Sequence, residues 1–156
     1  NLPEGWYYYT HTVIPEFNSL DSVLTPILED VFIVKDEAGN VFLPEWGYNN
    51  IGMPNIAQGF MIKMAQAQTL NISGSTINLT QNPLEIHEGW NLFGYIIPGE
   101  NSEQTLFVNH TEDIVIIKSY DGSVVLMEFN FDNIGPLEQG NGYLLKAINN
   151  FSLEWE

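Results

Sequence analysis

Apolar and polar positions along this chain form short β-type runs around one helical stripe, and the pattern then returns. The opening run Gly5–Ile14, GWYYYTHTVI, is aromatic and β-branched and predicts a strand. Behind Ser19, a helix-capping residue type, Leu20, Val23, Leu24, Ile27 and Leu28 fall at i, i+3, i+4, i+7 and i+8. That spacing predicts an amphipathic helix, which Pro26 shortens or kinks. Two apolar runs flank Gly39 in VFIVKDEAGNVFL and predict a β-hairpin. A Gly-, Asn- and Pro-rich stretch from Pro44 to Gly59 reads as a long loop, and GFMIKMA and QTLNIS as two more strands. The order is β-α-β-β-loop-β-β, so the predicted fold class is α+β with strands in the majority.

The same order recurs further along. With an offset of 83 residues, Val31–Ile72 lies on Ile114–Trp155 without a gap, and 12 of the 42 positions are identical, against about three by chance. The identities include Lys35/Lys118, Glu45/Glu128, Asn50/Asn133, Gly59/Gly142 and Lys63/Lys146. An offset of 84 sets LPEGWYYY on IHEGWNLF, one residue having been lost between the two blocks. The chain therefore reads as two homologous repeats of about 75–80 residues, 1–82 and 83–156. A unit that small buries little apolar surface alone, so the two are expected to pack as a pseudo-symmetric pair.

Charge narrows the partners. Among 156 residues there are 20 acids and four lysines, a formal charge of −16. Nucleic-acid phosphates and anionic membrane surfaces are repelled, and no apolar run approaches the roughly 20 residues of a membrane span. There is no cysteine, hence no disulfide framework and no thiolate metal site. The sequence begins at Asn1 without a signal segment and is taken as a mature product or a piece of something longer. All four lysines, Lys35, Lys63, Lys118 and Lys146, occupy matched places late in strands, where a stem lies along the core and the ammonium reaches the rim. Structural ion pairs are expected there, with Glu45 and Glu128 as partners.

Little of the remaining chemistry is catalytic. His11, His87 and His110 show no metal-ligand spacing and no nucleophile elbow, so no catalytic residue, no metal and no cofactor are assigned. The acidic stretches KDEAGN and TEDIV lack the spaced oxygens of a calcium loop, which leaves at most adventitious surface Ca²⁺. Four Asn-x-Ser/Thr sequons, at Asn71, Asn78, Asn109 and Asn150, carry meaning only with eukaryotic processing. The long loop is more informative. Trp46, Tyr48 and Asn50 beside Glu45, with Phe129, Phe131 and Asn133 as their matches, could stack on sugar rings and bond hydroxyls if exposed, or fold back to plug the core. Alternation along Tyr7-Tyr8-Tyr9 sets Tyr8 against its neighbours and adds one more candidate ring. Glu45 and Glu128 are also the carboxylate pair that a carbohydrate hydrolase would need.

Glu4-Gly5-Trp6, Ile33-Val34-Lys35 ahead of a hairpin, LPEWGYNNIG, and Gly-aromatic-x-x-Lys strands at Gly59 and Gly142 together resemble a known repeat module. It occurs in tandem in large secreted or cell-surface proteins of marine and gliding bacteria, often with a type IX secretion sorting tail, and in marine phage-like particles. The likeness covers nearly the whole chain twice and is closest over HEGWNLFGYIIP and LMEFNFDNIG. The chain departs from the pattern at Tyr7–Tyr9, at Met127 and at Gln139–Gly142. The resemblance implies an extracellular or cell-surface accessory module that binds or spaces, with a polysaccharide surface or neighbouring domains of a larger protein as partners, and it supplies no catalytic residue. A virion or tail adhesion component is the alternative within binding, and a carbohydrate hydrolase is the alternative in another class.

Overall fold

The computed structural model describes residues 1–101 and 103–155. Strands dominate, at 40% of the chain against 14% helical residues, and they form several sheets. One five-stranded antiparallel sheet contains β1 (Gly5–Thr10), β2 (Val31–Lys35), β3 (Val41–Leu43), β4 (Tyr48–Asn49) and β5 (Gly59–Met64) in the spatial order β1-β5-β2-β3-β4. A second holds β6 (Gly89–Gly94), β7 (Ile114–Lys118), β8 (Val124–Leu126), β9 (Phe131–Asp132) and β10 (Gly142–Ala147) in the order β6-β10-β7-β8-β9. A register shift interrupts β2 between Val31 and Ile33, and β7 between Ile114 and Ile116. It turns Val31 and Val34, and likewise Ile114 and Ile117, into the core, where strict alternation would not put both.

The predicted helix is cut short. Ser19 caps it as expected, its side chain accepting from the Ser22 N–H, but α-helix extends only over Leu20–Val23 before a 3-10 stretch at Thr25–Asp30. Pro26 has no N–H to continue the ladder, and the tighter turn still buries Leu20, Val23, Leu24 and Ile27. The matching helix covers Glu103–Leu106, and Ser102, the residue matched with Ser19, lies outside the described residues. The strand expected at QTLNIS shrinks to one reciprocal backbone pair, Leu2 with Gln68 at 2.8 Å each way. The equivalent Phe151–Leu153 forms a full strand against Leu84–Ile86.

Two apolar clusters fill the molecule. One packs Tyr9, Phe42, Phe60 and Ile62 under the first sheet with Leu20 and Leu24, and the other packs Phe93, Tyr95, Phe107, Tyr143 and Trp155 under the second. The second cluster also takes in Ala57 and Ile77 from the first half of the chain. Backbone bonds join the halves: the Thr10 N–H donates to the Gly140 carbonyl at 2.9 Å, and the Gly94 N–H to the Ala57 carbonyl at 2.8 Å. Both acceptor residues hold left-handed backbone, Gly140 at φ 91° and Ala57 at φ 58°. Packing along this seam leaves little room for side chains at three glycines, least at Gly94. A Cβ on Gly59 would meet Leu92 and Phe93, one on Gly142 would meet Tyr8 and Tyr9, and one on Gly94 would overlap Thr10.

Candidate functional site

The aromatic loops are built by short local rules. After β3, Pro44–Trp46 form a 3-10 turn, Gly47 reverses the chain at φ 58°, and Tyr48–Asn49 return alongside Leu43 and Phe42. The equivalent turn Met127–Phe129 reverses at Asn130 with φ 47°. Each turn is then locked. The Asn50 side-chain oxygen accepts from the Val41 N–H at 2.7 Å while its own N–H donates to the Val41 carbonyl at 3.1 Å, and Asn133 repeats both bonds on Val124. Asn50 and Asn133, read from sequence as ligand contacts, clamp their own turns, and both stay exposed with a second lone pair on each oxygen. The rings do not fold back over the core. Trp46 is 77% exposed and Phe129 70%, with Tyr48 and Phe131 about half exposed beside them. Glu45 and Glu128 are exposed in the same turns. Tyr8 does not join this surface: it lies on β1, at the opposite edge of the sheet from β4, half-buried against Gly142 at the seam.

The ion pairs expected at Lys35, Lys63, Lys118 and Lys146 are absent among the described residues, where no ammonium lies within 4.0 Å of a carboxylate. Register explains this, since Trp6 stands directly across from Lys63 and Trp90 from Lys146, whereas Glu45 and Glu128 occupy the turns leading to the far edge strands. Lys35 and Lys63 instead lie 5.1 and 5.9 Å from the centre of the Trp6 ring, and Lys146 lies 5.9 Å from that of Trp90. Lys35, Lys63 and Lys146 cover the indoles of the outer sheet faces as cation–π partners, whereas Lys118 is not among these pairs.

A cleft of about 520 Å³ opens where the Asp36–Asn40 turn and the Ile51–Gln58 loop face Pro83–His87 and Asn91–Phe93. Glu37, which the sequence did not single out, bridges it. One carboxylate oxygen accepts from the Leu92 N–H and the other lies 2.7 Å from His87 Nε2. The Glu37 carboxylate, and then the Glu88 carbonyl, hold the His87 pKa above its ordinary value. That pair strengthens the fold while His87 is protonated, fully so below pH about 6.5, and the contribution fades as pH rises through the raised folded value. Both side chains are largely solvated, so the expected effect is below about 1 kcal/mol. Urea midpoints measured from pH 6 to 9 should fall with pH in the natural chain and fall less in Glu37→Gln. On the other side of the molecule Tyr120, the residue matched with Glu37, packs 4.4 Å from Tyr7. The Tyr7 hydroxyl donates to Asn141, and burial pushes its pKa up to about 12.

Among the described residues, the acids and histidines singled out from the sequence do not come together in one place. Glu45 and Glu128 belong to edge turns of different sheets and line none of the clefts described. His110 pairs with Asp113 at 3.2 Å and stacks on Phe151 at 4.3 Å, while His11 is buried without a hydrogen-bond partner. Among the described residues no three His, Cys, Asp or Glu gather as metal ligands, and no helix is long and apolar enough to cross a membrane. Comparison with models of known families, with curated proteins and with solved structures finds no match to this chain.

Proposed function

We propose that this chain is a non-catalytic extracellular module, two copies of one unit arranged about a pseudo-twofold axis, that binds polysaccharide through its paired aromatic turns. The observation that carries the reading is the exposure of Trp46 and Phe129 at matched positions on turns whose backbones are clamped. Clamped turns present a flat ring at little entropic cost on binding, and a ring flanked by a carboxylate suits a sugar's apolar face and its hydroxyl rim. Support for the duplication comes from the two five-stranded sheets, which follow one strand order, and from the seam bonds, which link residues matched by the repeat. Thr10 and Gly94 are matched positions, as are Gly140 and Ala57.

Each sheet places its turn next to the edge strand farthest from the seam, which makes the module bivalent. Two weak sites on one rigid body gain avidity on a polymer, on the order of 100-fold or more over either alone. Native electrophoresis through gels containing polysaccharide should show retardation that weakens by roughly tenfold or more in Trp46→Ala or Phe129→Ala and disappears in the double variant. Unretarded natural chain across neutral and acidic glycans would leave only a spacer. Release of reducing ends would favour the hydrolase instead.

A further inference from the structure

The first copy holds a buried group that the aromatic turns do not use. His11 is 6% exposed, and neither ring nitrogen has a hydrogen-bond partner. Its ring lies 5.6 Å from both Tyr9 and Phe60, in the first core. A cavity of about 80 Å³ beside it reaches Ile56 and Ile77, which pack with the second core. Asn18 shares that cavity, and its side-chain oxygen is also buried and unpartnered. The second copy shows what a satisfied version looks like. There Tyr95 takes the place of His11, wholly buried, and its hydroxyl accepts from Asn101, the match of Asn18. The first copy has exchanged a phenol that fills its space for an imidazole that leaves a void and two nitrogens without partners.

We propose that His11 is an acid-operated latch: on taking up a proton it can no longer stay between the two cores, and the His11–Asn18 segment leaves the seam. Tyr9 is a titratable neighbour on the packed side, and among the described residues no carboxylate lines the cavity to receive an imidazolium. Burial lowers the His11 pKa from 6.5 to about 4, opposed in part by the neighbouring Asn18 side chain. Between those values the unfolded or opened chain binds the proton and the closed chain does not, so closure weakens as pH falls from 6.5 towards about 4 and changes no further below. The movement is local. Only the two-residue strand Val13–Ile14 ties this segment to a sheet partner, Ser75–Thr76, and Asn18 adds one bond to the Pro54 carbonyl.

Hydrogen exchange of the amides in residues 10–18 and 75–79, measured on the full chain from pH 7 to 4, tests this after correction for the intrinsic rate. Protection in the natural chain should drop on the order of 100-fold across that range. In His11→Tyr, which copies the second repeat, it should stay flat. If His11→Tyr does not fold, the His11 ring resonances of the natural chain decide instead. A midpoint near 4 accompanied by shifts at Ile56 and Ile77 sustains the latch. Titration near 6.5 with those shifts absent, or equal acid loss in His11→Tyr and the natural chain, overturns it.

Discussion

Gly94→Thr should cost this protein about 3 kcal/mol or more, and Thr10→Gly added to the same chain should restore over half of the loss. A Cβ on Gly94 would stand 2.0 Å from Thr10 Oγ1 and 2.2 Å from Thr10 Cβ, too close for a rotamer change to relieve. Neither backbone can retreat cheaply, since the Thr10 N–H is held by Gly140 and the Gly94 N–H by Ala57. Thr10 also donates its hydroxyl to the Gln58 carbonyl at 2.7 Å. Under the pseudo-twofold reading, Gln58 matches Asn141, whose carbonyl accepts from the Tyr95 N–H at 2.9 Å and keeps a second lone pair for a threonine moved to position 94. The exchange moves the side chain from one side of the seam to the other and should be tolerated far better than the single change. Thermal unfolding reads both, with about 2–4 °C per kcal/mol expected for a chain of this size. An exchanged pair no more stable than Gly94→Thr alone would mean that the two sides are not interchangeable.

Asn91→Asp should be worse than Asn91→Ala at neutral pH and close to it in acid. Asn91 is 3% exposed and ties four backbone groups together. Its oxygen accepts from the His87 N–H at 3.0 Å, and its amide nitrogen donates to the carbonyls of His87 at 2.8 Å, Gly89 at 3.1 Å and Leu145 at 3.4 Å. Alanine removes all four bonds, a loss of about 2–3 kcal/mol. Aspartate keeps the acceptor but turns a second oxygen towards carbonyls, so burial and lone-pair repulsion raise the new carboxyl's pKa in the folded state. The variant's deficit is then smallest below pH about 4 and grows as pH rises through the raised value, to roughly 3–5 kcal/mol at pH 7. Urea denaturation of both variants at pH 4 and pH 7 checks the sign. Equal losses at the two values would show that the side chain reaches solvent.

The main strands and the hairpin around Gly39 were legible from sequence because apolar and β-branched residues cluster in GWYYYT, VFIVK and GFMIKM, whereas the pairing of the first and last of these was not. The helix was legible as a buried stripe but not in its length, since a proline in the second turn leaves the stripe intact while ending the α-helical ladder. The lysine partners were misread for a similar reason. Matched lysines and matched glutamates suggest pairing, yet only strand register decides that Trp6 and Trp90 are the nearer neighbours. Asn50 and Asn133 show what loop composition hides, because an amide that clamps its own turn looks in sequence like any other loop amide. Glu37 entered only as part of the acidic stretch KDEAGN. It sits in a hairpin turn where acids are ordinary, and its partners His87 and Leu92 are 50 and 55 residues away.

The placing of the strand edges has a consequence for solubility at high concentration. At their inner margins the β1 and β6 backbones are joined at Thr10 and Gly94 to the opposite half, so that part of each margin is closed to another chain. The outer margins are β4 and β9, two residues each, and each begins beside a left-handed turn that breaks the ladder. A fibril needs a long, flat template, and neither outer margin supplies one. The chain can therefore display naked tryptophan and phenylalanine without recruiting copies of itself edge to edge.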